Sequence, residues 1–381
     1  MRRTALSSVL TLLVTTSAAF ADGIPIVTNA LGTVTWVEDS SDPVYSPGKA
    51  YYPSVIQVGS TYMMWSEDAT GEEMATSPDG VTWTTLGQVT GLQNPAHAVV
   101  EDIAGTYQIW YWDQSQLYSI DAIRTATSTD GITWTNDTAI SQVGNTVIAG
   151  NAGSAWNSGS YGPEDILYNP NGSSSIVAPV DAASVWQNKY VMYYDGTTGS
   201  AEDMGLAVSN DGVHWQGYNG GIAPVLRNGP AGAWDSGYVG YGTVIEVSPD
   251  EFDLYYSGGQ GSVLNQGIGF ATSTDGIHWV KSGSDPIFSI YDGVAWRAYR
   301  TYTPMVIGDQ MWFTGVNVED GTYAIGYAQA EPQVPEPATF GAALAAVALL
   351  LAASRAGLMW GRISSCGGFS TRLPASPPPS R

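Results

Sequence analysis

Ser77-Pro78-Asp79-Gly80-Val81-Thr82-Trp83 is the first of four nearly identical stretches that decide the fold of this chain. The other three run from Ser128 to Trp134, from Ser209 to Trp215 and from Ser273 to Trp279, and all four fit the pattern S-x-D-G-x-x-W. Their aspartates are spaced by 51, 81 and 64 residues. Recurrence on this scale predicts an array of similar structural units that carry insertions of different lengths.

Each unit has the same order of elements along the chain. A strand that opens with proline or a small residue is followed by a turn and an aromatic strand, then by a third strand that leads into the S-x-D-G-x-x-W turn and a fourth that leaves it. The five aromatic strands are Tyr62 to Trp65, Tyr107 to Trp110, Tyr190 to Tyr193, Phe252 to Tyr255 and Gln310 to Phe313. Runs of this composition, bounded by Gly, Asn and Asp, are typical of β-strands. Four antiparallel strands per unit, repeated around an axis, predict an all-β fold, a five-bladed β-propeller.

The fifth unit, residues 303–330, contains three strands and lacks the turn. The segment from Gly32 to Trp36 has the composition of a strand that belongs to no other unit. We expect this N-terminal strand to complete the fifth blade, because closing the ring removes two exposed sheet edges. The propeller is therefore predicted to span residues 22–330.

Both ends of the chain are predicted to be targeting segments. Residues 1–21 combine Arg2 and Arg3 with an apolar stretch that closes on small residues, as in a secretory signal peptide. At the other end, a linker over residues 331–337 precedes an apolar helix over 338–354 and a tail over 355–381. The apolar helix is slightly short for a full membrane span, but far more hydrophobic than a solvated tail.

The linker contains Val334-Pro335-Glu336-Pro337, and Arg355 stops the apolar helix. This order resembles the PEP-CTERM sorting signal of Gram-negative bacteria. The resemblance implies recognition by exosortase, a dedicated transpeptidase-like sorting protease. It predicts export through the inner membrane, followed by delivery to the cell envelope or outer surface, or release after sorting.

The predicted propeller is strongly acidic. All 35 acidic residues but only seven of the 13 basic ones lie between Asp22 and Glu336, which gives this part of the chain a net charge of −28. Such a surface repels nucleic acid and anionic lipid. The 14 Trp and 22 Tyr residues offer flat faces for sugar rings, although most are expected to fill the sheets. We expect a monomer whose partner is an extracellular glycan and not a nucleic acid.

The four turn aspartates, Asp79, Asp130, Asp211 and Asp275, are expected to serve the structure. Their side chains are predicted to bond local backbone amides while the following glycine takes a positive φ angle. These turns should lie on the face opposite the openings of the first strands. His214 and His278 share the turns and are expected at the surface.

The openings of the first strands carry the candidate site. The predicted alignment of first-strand positions is Pro53, His97, Glu164, Gly242 and Pro304. Glu67 and Asp195 are predicted at matching positions near the ends of second strands, with Asp68 and Asp113 nearby. Arg124 and Arg300 could offset these acids. The substrate-binding candidates are His97, Asp165, Asp113, Arg300, Tyr52 and Tyr241.

The alternating signatures also match a family. Trp156, Trp234 and Trp296 each follow an alanine and lie eight residues before a first-strand position, and the run from Ile268 to Ser273 leads into the fourth turn. These features resemble the five-bladed propeller superfamily of arabinanases, levansucrases, invertases and related glycosidases, over most of residues 51–330. The resemblance implies hydrolysis by two carboxylates that flank a glycosidic bond.

The acids of that superfamily are only partly reproduced. Its members place an Asp at the start of blade one, an Asp in blade two and a Glu in blade three. Here blade one reads Tyr51-Tyr52-Pro53 and blade two reads Ala96-His97-Ala98, so that only blade three keeps acids, in Gly162-Pro163-Glu164-Asp165.

We therefore expect an exported, glycosidase-like protein that acts on or binds glycan. Glu164 is the predicted acid, and Asp195 or Glu67 is the second carboxylate. The alternative is a non-catalytic glycan-binding or structural surface protein that kept the scaffold and lost the acids. No cofactor or metal motif is present; a calcium site among the mouth acids is a weak alternative, since Ca²⁺ takes several oxygen ligands.

Overall fold

The structure, a computed structural model, describes residues 26–29, 32–116, 123–142, 156–159, 162–197, 201–260 and 263–332. The predicted signal peptide, apolar helix and tail lie outside these residues. Within them, regular structure is almost entirely β-strand, and the helices are 3₁₀ turns at Val185–Gln187, Tyr218–Gly221 and Ala295–Arg297. In this part of the chain no helix is long and apolar enough to cross a membrane.

The strands group into antiparallel sets that follow one another along the chain. The first two are β1 (Ile26–Asn29) and β2 (Gly32–Glu38). Set 1 contains β3 (Tyr51–Val58), β4 (Thr61–Glu67), β5 (Glu72–Ser77) and β6 (Thr84–Gln88). Set 2 contains β7 (Pro95–Ile103), β8 (Thr106–Asp113), β9 (Ile123–Ser128) and β10 (Thr135–Ala139). The short strand β11 (Ser141–Gln142) follows and pairs in parallel with set 3.

Set 3 contains β12 (Pro163–Tyr168), β13 (Tyr190–Thr197), β14 (Glu202–Ser209) and β15 (His214–Gly217). Set 4 contains β16 (Tyr238–Ser248), β17 (Glu251–Gln260), β18 (Val263–Ser273) and β19 (Val280–Lys281), with β20 (Phe288–Ser289) also paired to β18. Set 5 contains β21 (Arg300–Ile307), β22 (Gln310–Val316) and β23 (Tyr323–Pro332).

The tryptophans near the middle of three second strands are fully buried, as their composition predicts. Trp65 in β4, Trp110 in β8 and Trp312 in β22 have no exposed surface. The first strands of successive sets contact one another in chain order, and β21 of set 5 contacts β3 of set 1. The sets therefore surround a common axis, which is the arrangement of a β-propeller.

Strand β2 joins the last set, which confirms the predicted N-terminal closure. It pairs antiparallel with β23, so that Trp36 lies opposite Ala330 and Glu38 lies opposite Ala328. The buried Arg297 donates from Nε to Oε1 of Glu38 at 2.9 Å and also binds Asp292, which fixes the end of β2. Strand β1 pairs with β2 and adds a further strand that the sequence pattern does not predict.

The four S-x-D-G-x-x-W turns bond internally in the predicted way. Asp79 Oδ1 accepts hydrogen bonds from the amides of Val81 at 2.9 Å and Thr82 at 2.6 Å. The same bonds recur at Asp130, Asp211 and Asp275. The glycines of the turns have φ between +68° and +80°, a conformation that favours glycine. His214 and His278 are exposed and bind the aspartates of their own turns at 2.7 Å, as predicted for surface histidines.

Each turn also bonds to the preceding set. The carbonyl oxygens of the turn glycines accept from second-strand side chains: Gly80 from Trp312 Nε1, Gly131 from Trp65 Nε1, Gly212 from Trp110 Nε1 and Gly276 from the Tyr193 hydroxyl. Set 5 has no such turn, and there Trp36 packs edge-on against Tyr255 with ring centroids 5.4 Å apart. The repeated motif thus joins neighbouring sets, and the N-terminal strand covers the junction that lacks it.

Candidate functional site

First strands carry a β-bulge near their openings. In set 1, Tyr51 pairs with Glu67 and Ser54 pairs with Trp65, so that Tyr52 and Pro53 together oppose one residue. The corresponding bulge residues are His97 in set 2, Tyr241 in set 4 and Thr303 in set 5. All four have φ between +49° and +54°, a left-handed conformation that is costly for residues with a side chain. Strain at four equivalent positions marks this level of the sets as a candidate site.

The bulges change the predicted alignment of His97 by one residue. The sequence spacing matched it with Pro53, Gly242 and Pro304, which was wrong, because the strand pairing places it with Tyr52, Tyr241 and Thr303. Glu164 keeps its predicted alignment. It is the unpaired residue of the bulge in set 3, between the pairs Pro163–Tyr194 and Asp165–Tyr193.

The bulges surround a small central cavity. Its walls come from the opening residues of all five first strands, among them Tyr52, His97, Glu164, Tyr241 and Thr303. The cavity measures about 40 Å³, or about 410 Å³ of empty space when adjoining open solvent is counted. The smaller volume holds on the order of three water molecules. The Tyr52 and His97 rings stack with centroids 3.7 Å apart, and Tyr241 contacts both rings at 5.2 Å.

Glu164 lines this cavity with its carboxyl group, close to the backbone amides of Tyr241 and Gly242. Both of its side-chain oxygens are shielded from solvent. A Cβ atom on Gly240 would lie 2.9 Å from Oε1, so the glycine leaves room for this side chain. Burial, followed by the negative charge of Asp195, raises the pKa of Glu164 well above its ordinary value, although the nearby amides of Tyr241 and Gly242 lower it in part. The raised pKa favours the protonated form of this carboxyl group.

Two further carboxylates from one hairpin act on Glu164. Asp195, in β13, is fully buried and accepts a hydrogen bond from the Gly162 amide at 2.8 Å. Glu202 opens β14, and burial together with the charge of Asp195 raises its pKa to about 8. The sequence analysis missed Glu202, because it considered the ends of second strands and not the starts of third strands. The hairpin of β13 and β14 brings Asp195 and Glu202 to the same end of set 3. The short spacing of these two acids across a predicted hairpin was the signal available in the sequence.

Glu67 lies at the strand position of Asp195 but in a different environment. Its Oε1 accepts hydrogen bonds from the Tyr51 hydroxyl at 2.9 Å and from Gln114 Nε2 at 3.1 Å, and its Oε2 lies 3.8 Å from His97 Nε2. Burial raises its pKa to about 7, in spite of these bonds and of the His97 amide.

Ser257 in set 4 and Thr314 in set 5 occupy the same strand position as Glu67, and their contacts explain the hydrogen bonding of Glu67. Ser257 Oγ accepts from the amide of Thr303 at 2.7 Å, and Thr314 Oγ1 accepts from the amide of Tyr52 at 3.1 Å. Each hydroxyl thus fixes the bulge of the next set around the axis. Glu67 has the same relation to the His97 amide, which lowers the pKa of Glu67. Its position therefore indicates a structural contribution to the site.

Two other predicted acids bond the backbone. Asp165 is buried, and its Oδ1 and Oδ2 accept from the amides of Ile166 at 3.0 Å and Val244 at 2.8 Å. Asp165 thus joins sets 3 and 4. Asp113 is also buried and accepts from the amide and the hydroxyl of Ser115 within its own turn. These contacts indicate structural bonding, and neither acid lies free in the cavity.

The two arginines proposed to offset the acids differ from that expectation. Arg124 binds Asp137 through Nε and Nη2, the latter at 2.9 Å, and so pairs along the outer strands of set 2. Arg300 lies over the Tyr299 ring, 5.5 Å from its centroid. Its charge lowers the pKa of Tyr302 in part, against burial. Arg124 therefore does not balance the carboxylates of the cavity.

Glu72 is a second residue that the sequence analysis missed. It is buried, and burial and then the charge of Glu67 raise its pKa well above its ordinary value, although the Ala98 amide lowers it in part. The Glu72-Glu73 pair at the opening of β5 is the signal that could have found it. In the described ranges, no group of three or more His, Cys, Asp or Glu side chains is arranged to hold a metal ion.

Comparison with solved structures identifies the fold. A structure from the GH130 family of mannoside phosphorylases aligns with a TM-score of 0.52 and 16% identity, over 78% of this chain and 96% of that one. A glycosyl hydrolase from Bacteroides ovatus aligns with a TM-score of 0.51 and 15% identity, over 79% and 88%. The native arabinanase of Bacillus subtilis aligns with a TM-score of 0.50 and 13% identity, over 75% and 95%.

No protein-family model and no curated protein matches the chain. At these identities the likeness shows the fold alone, which is a β-propeller. What distinguishes this chain is the local arrangement of its own residues. A buried carboxyl group with a raised pKa, beside further carboxylates, can transfer a proton to a bound ligand.

Proposed function

We propose that this protein is an exported, envelope-sorted, five-bladed β-propeller that hydrolyses an extracellular glycan, with Glu164 as the proton donor. The observation that carries the proposal is the Glu164 carboxyl group, which lines the central cavity with both oxygens shielded from solvent and lies beside the charge of Asp195. Burial of such a group is costly, and strongly perturbed acids in a cleft are typical of functional sites.

The fold supports the same proposal. The strands form four sheets, one of which joins sets 3 and 4 through the parallel pairing of β14 with β16, and the first strands of the sets contact one another in a closed order. The similar structures include mannoside phosphorylases and an arabinanase, enzymes of glycan chemistry. Export, sorting and the exosortase-type partner protease are proposed from the sequence of residues 1–21 and 331–381 alone.

The roles of the acids follow from their environments. Glycoside hydrolysis needs one carboxyl group that donates a proton and a second carboxylate that acts as base or nucleophile. Burial and the charge of Asp195 keep the proton on Glu164. We favour Asp195 as the second carboxylate over Glu67, because Asp195 acts directly on Glu164 whereas two hydrogen bonds occupy one oxygen of Glu67.

Release of reducing sugar from a panel of plant, fungal and bacterial polysaccharides tests this proposal. We expect the wild-type protein to release sugar from at least one of them and Glu164→Gln to lose that activity. Retained activity in Glu164→Gln would show that another group donates the proton. Binding without release by the wild type would refute hydrolysis.

A specific observation favours non-catalytic glycan binding as a second candidate. The Tyr52, His97 and Tyr241 rings pack against one another, and the cavity that they line measures only about 40 Å³. This candidate predicts binding to a glycan from the same panel with no release of sugar. A structural surface protein predicts neither.

A further inference from the structure

We propose that the groove between the outer strand of set 3 and the fourth S-x-D-G-x-x-W turn is a second binding site, which takes a short neutral oligosaccharide. Among the described residues, the groove and the central cavity share no lining residue. The inference goes beyond the proposed function, because it uses neither Glu164 nor any step of hydrolysis. It applies equally to a protein that cleaves glycan and to one that only binds it.

The groove is much larger than the central cavity. One wall is formed by Tyr218, Asn219 and the segment from Ile222 to Val225, which follow β15, and the other by His278 and Trp279 of the fourth turn. It measures about 620 Å³, whereas the central cavity measures about 40 Å³. Sites for small ligands have volumes of about 300–1,000 Å³, so the groove has room for sugar rings.

Backbone hydrogen bonds fix the wall that follows β15. The Asn219 amide donates to the carbonyl oxygen of Val180 at 2.9 Å, and the Val225 amide donates to that of Met204, in β14, at 2.8 Å. Asn219 has a φ of +46°, a left-handed conformation that is costly for a residue with a side chain. A wall that is already ordered loses little conformational freedom when a ligand binds.

Two aromatic side chains line the groove from opposite walls. Tyr218 and Trp279 are both half-buried and pack against the apolar cluster between sets 3 and 4. In the first and third turns, Trp83 and Trp215 donate from Nε1 to the glycine carbonyl of their own turn at 3.0 Å. Nε1 of Trp279 makes no hydrogen bond among the described residues. The flat faces of these two rings are suited to the apolar faces of sugar rings.

Polar groups lie beside these rings on both walls. His278 is exposed, and its Nδ1 lies 2.7 Å from Oδ2 of Asp275. In the neutral imidazole this contact places the proton on Nδ1, which leaves Nε2 as an acceptor for a hydroxyl group. The exposed Asn219 carries an amide donor and an amide acceptor on the other wall. Hydroxyl groups at the edge of a sugar ring are the complementary groups.

The charge of the groove favours a neutral ligand. Among the described residues that line it, none is Lys, Arg, Asp or Glu. An anionic glycan would meet no cation there and would be repelled by the net charge of −28 of the propeller residues. A wholly apolar peptide would cover Ile222, which is 81% exposed, but would leave His278 and Asn219 without hydrogen bonds. A neutral sugar chain satisfies both kinds of surface.

Isothermal titration of the full chain carrying Glu164→Gln tests the inference, because this change removes the proposed proton donor and so protects the probe from cleavage. The probes are the hexaoses of cellulose, xylan, mannan and arabinan. We expect saturable binding of at least one of them. Ile222→Arg should weaken it at least about tenfold, because a long charged side chain enters the groove. Leu86→Arg, the same change at an exposed residue of β6, should leave the affinity within about twofold.

A pair of histidine variants tests the polar contact. His278→Ala should weaken binding at least about threefold, because it removes the acceptor Nε2. His214→Ala is the matched control, since His214 binds Asp211 in the third turn at the same distance but does not line the groove. Thermal melts of both variants show whether the turns remain intact. Equal losses of affinity in the two variants would overturn the assignment of His278 to the ligand.

Other results would overturn the inference without touching the proposed function. Absence of binding to every neutral hexaose, equal affinity of Ile222→Arg and Leu86→Arg, or binding of oligogalacturonate alone would refute a neutral-glycan groove. Self-association in sedimentation velocity that Ile222→Arg abolishes would identify a contact between two copies of the chain instead. Sugar release by the wild type would leave the proposed function standing in each case, whereas groove binding without any release would refute hydrolysis alone.

Discussion

The two ends of the strand sets treat the same chemical group in opposite ways. In the turns, hydrogen bonds from the Thr82 and Val81 amides lower the pKa of Asp79 to about 2. Around the cavity, burial and the charge of Asp195 raise the pKa of Glu202 to about 8. The turn carboxylate is exposed and fully bonded, whereas the cavity carboxyl groups are buried and crowd one another. The comparison indicates that turn acids stabilise the fold and that cavity acids are held at a cost for function.

The largest expected effect is on activity, which should be lost on substitution of a cavity acid and retained on substitution of a turn acid. Glu164→Gln should reduce kcat/KM at least about 100-fold, in the range typical of a lost general acid, without lowering the melting temperature. Asp79→Asn should leave kcat/KM within about twofold. Rates of sugar release and thermal melts of both variants check this. A stability loss without an activity loss in Glu164→Gln would reverse the assignment.

A packing change at the turns should have the next largest effect. Gly212 has φ of +78°, and a Cβ atom there would lie 2.6 Å from Gln108 Nε2 and 2.9 Å from Trp110 Cζ2. We expect Gly212→Ala to destabilise the protein by about 2–3 kcal/mol. Gly308→Ala is the matched control, because Gly308 also has positive φ but its Cβ would meet nothing within 4 Å. Equal losses in urea unfolding would show that the set-to-set contact is unimportant.

The cavity acids predict a loss of stability at higher pH. A carboxyl group with a raised pKa stabilises the folded state below its unfolded pKa, and that contribution disappears as the pH rises through the folded value. For Glu202 the window runs from about pH 4.5 to about 8. Glu202→Gln should therefore melt at a higher temperature than the wild type at pH 8 and at nearly the same temperature at pH 4.5. A constant difference across this window would contradict the assigned shift.

The turn acids predict the opposite pH dependence and a smaller effect. Burial is the largest single influence on Asp275 and raises its pKa, but the hydrogen bonds from His278 and the Ile277 amide together outweigh it and lower the pKa to about 2. Its contribution is present above about pH 3.8 and disappears as the pH falls through about 2. Asp275→Asn should cost about 1 kcal/mol at pH 6 and little near pH 2. Chemical denaturation at both pH values measures this difference.

Local chemistry made most of the fold predictable. The S-x-D-G-x-x-W pattern contains a hydrogen-bond acceptor, a glycine and an aromatic residue at fixed spacing. Each of them makes a hydrogen bond either within the turn or to the neighbouring set. Closure by Gly32–Glu38 also followed from the sequence, since an incomplete last unit needs a partner strand.

The arrangement of residues around the cavity was less predictable from the sequence than the fold. A bulge changes the register of a strand without changing its composition, so the alignment of His97 shifted by one residue. The pairing of Arg124 with Asp137 depends on the geometry of the outer strands and has no signal in spacing. Glu202 and Glu72 gain their importance from burial, which depends on neighbouring sets.

The pairing of β2 with β23 brings together segments that are almost 300 residues apart in order of synthesis. The ribosome finishes Gly32–Glu38 early, yet that strand has no partner until Tyr323–Pro332 emerges. Until then β2 presents an unpaired edge to any other chain nearby. A nascent chain of this protein should therefore depend on a holding factor for nearly the whole of its translation, and truncation anywhere before residue 323 should yield an aggregating product rather than a smaller folded one.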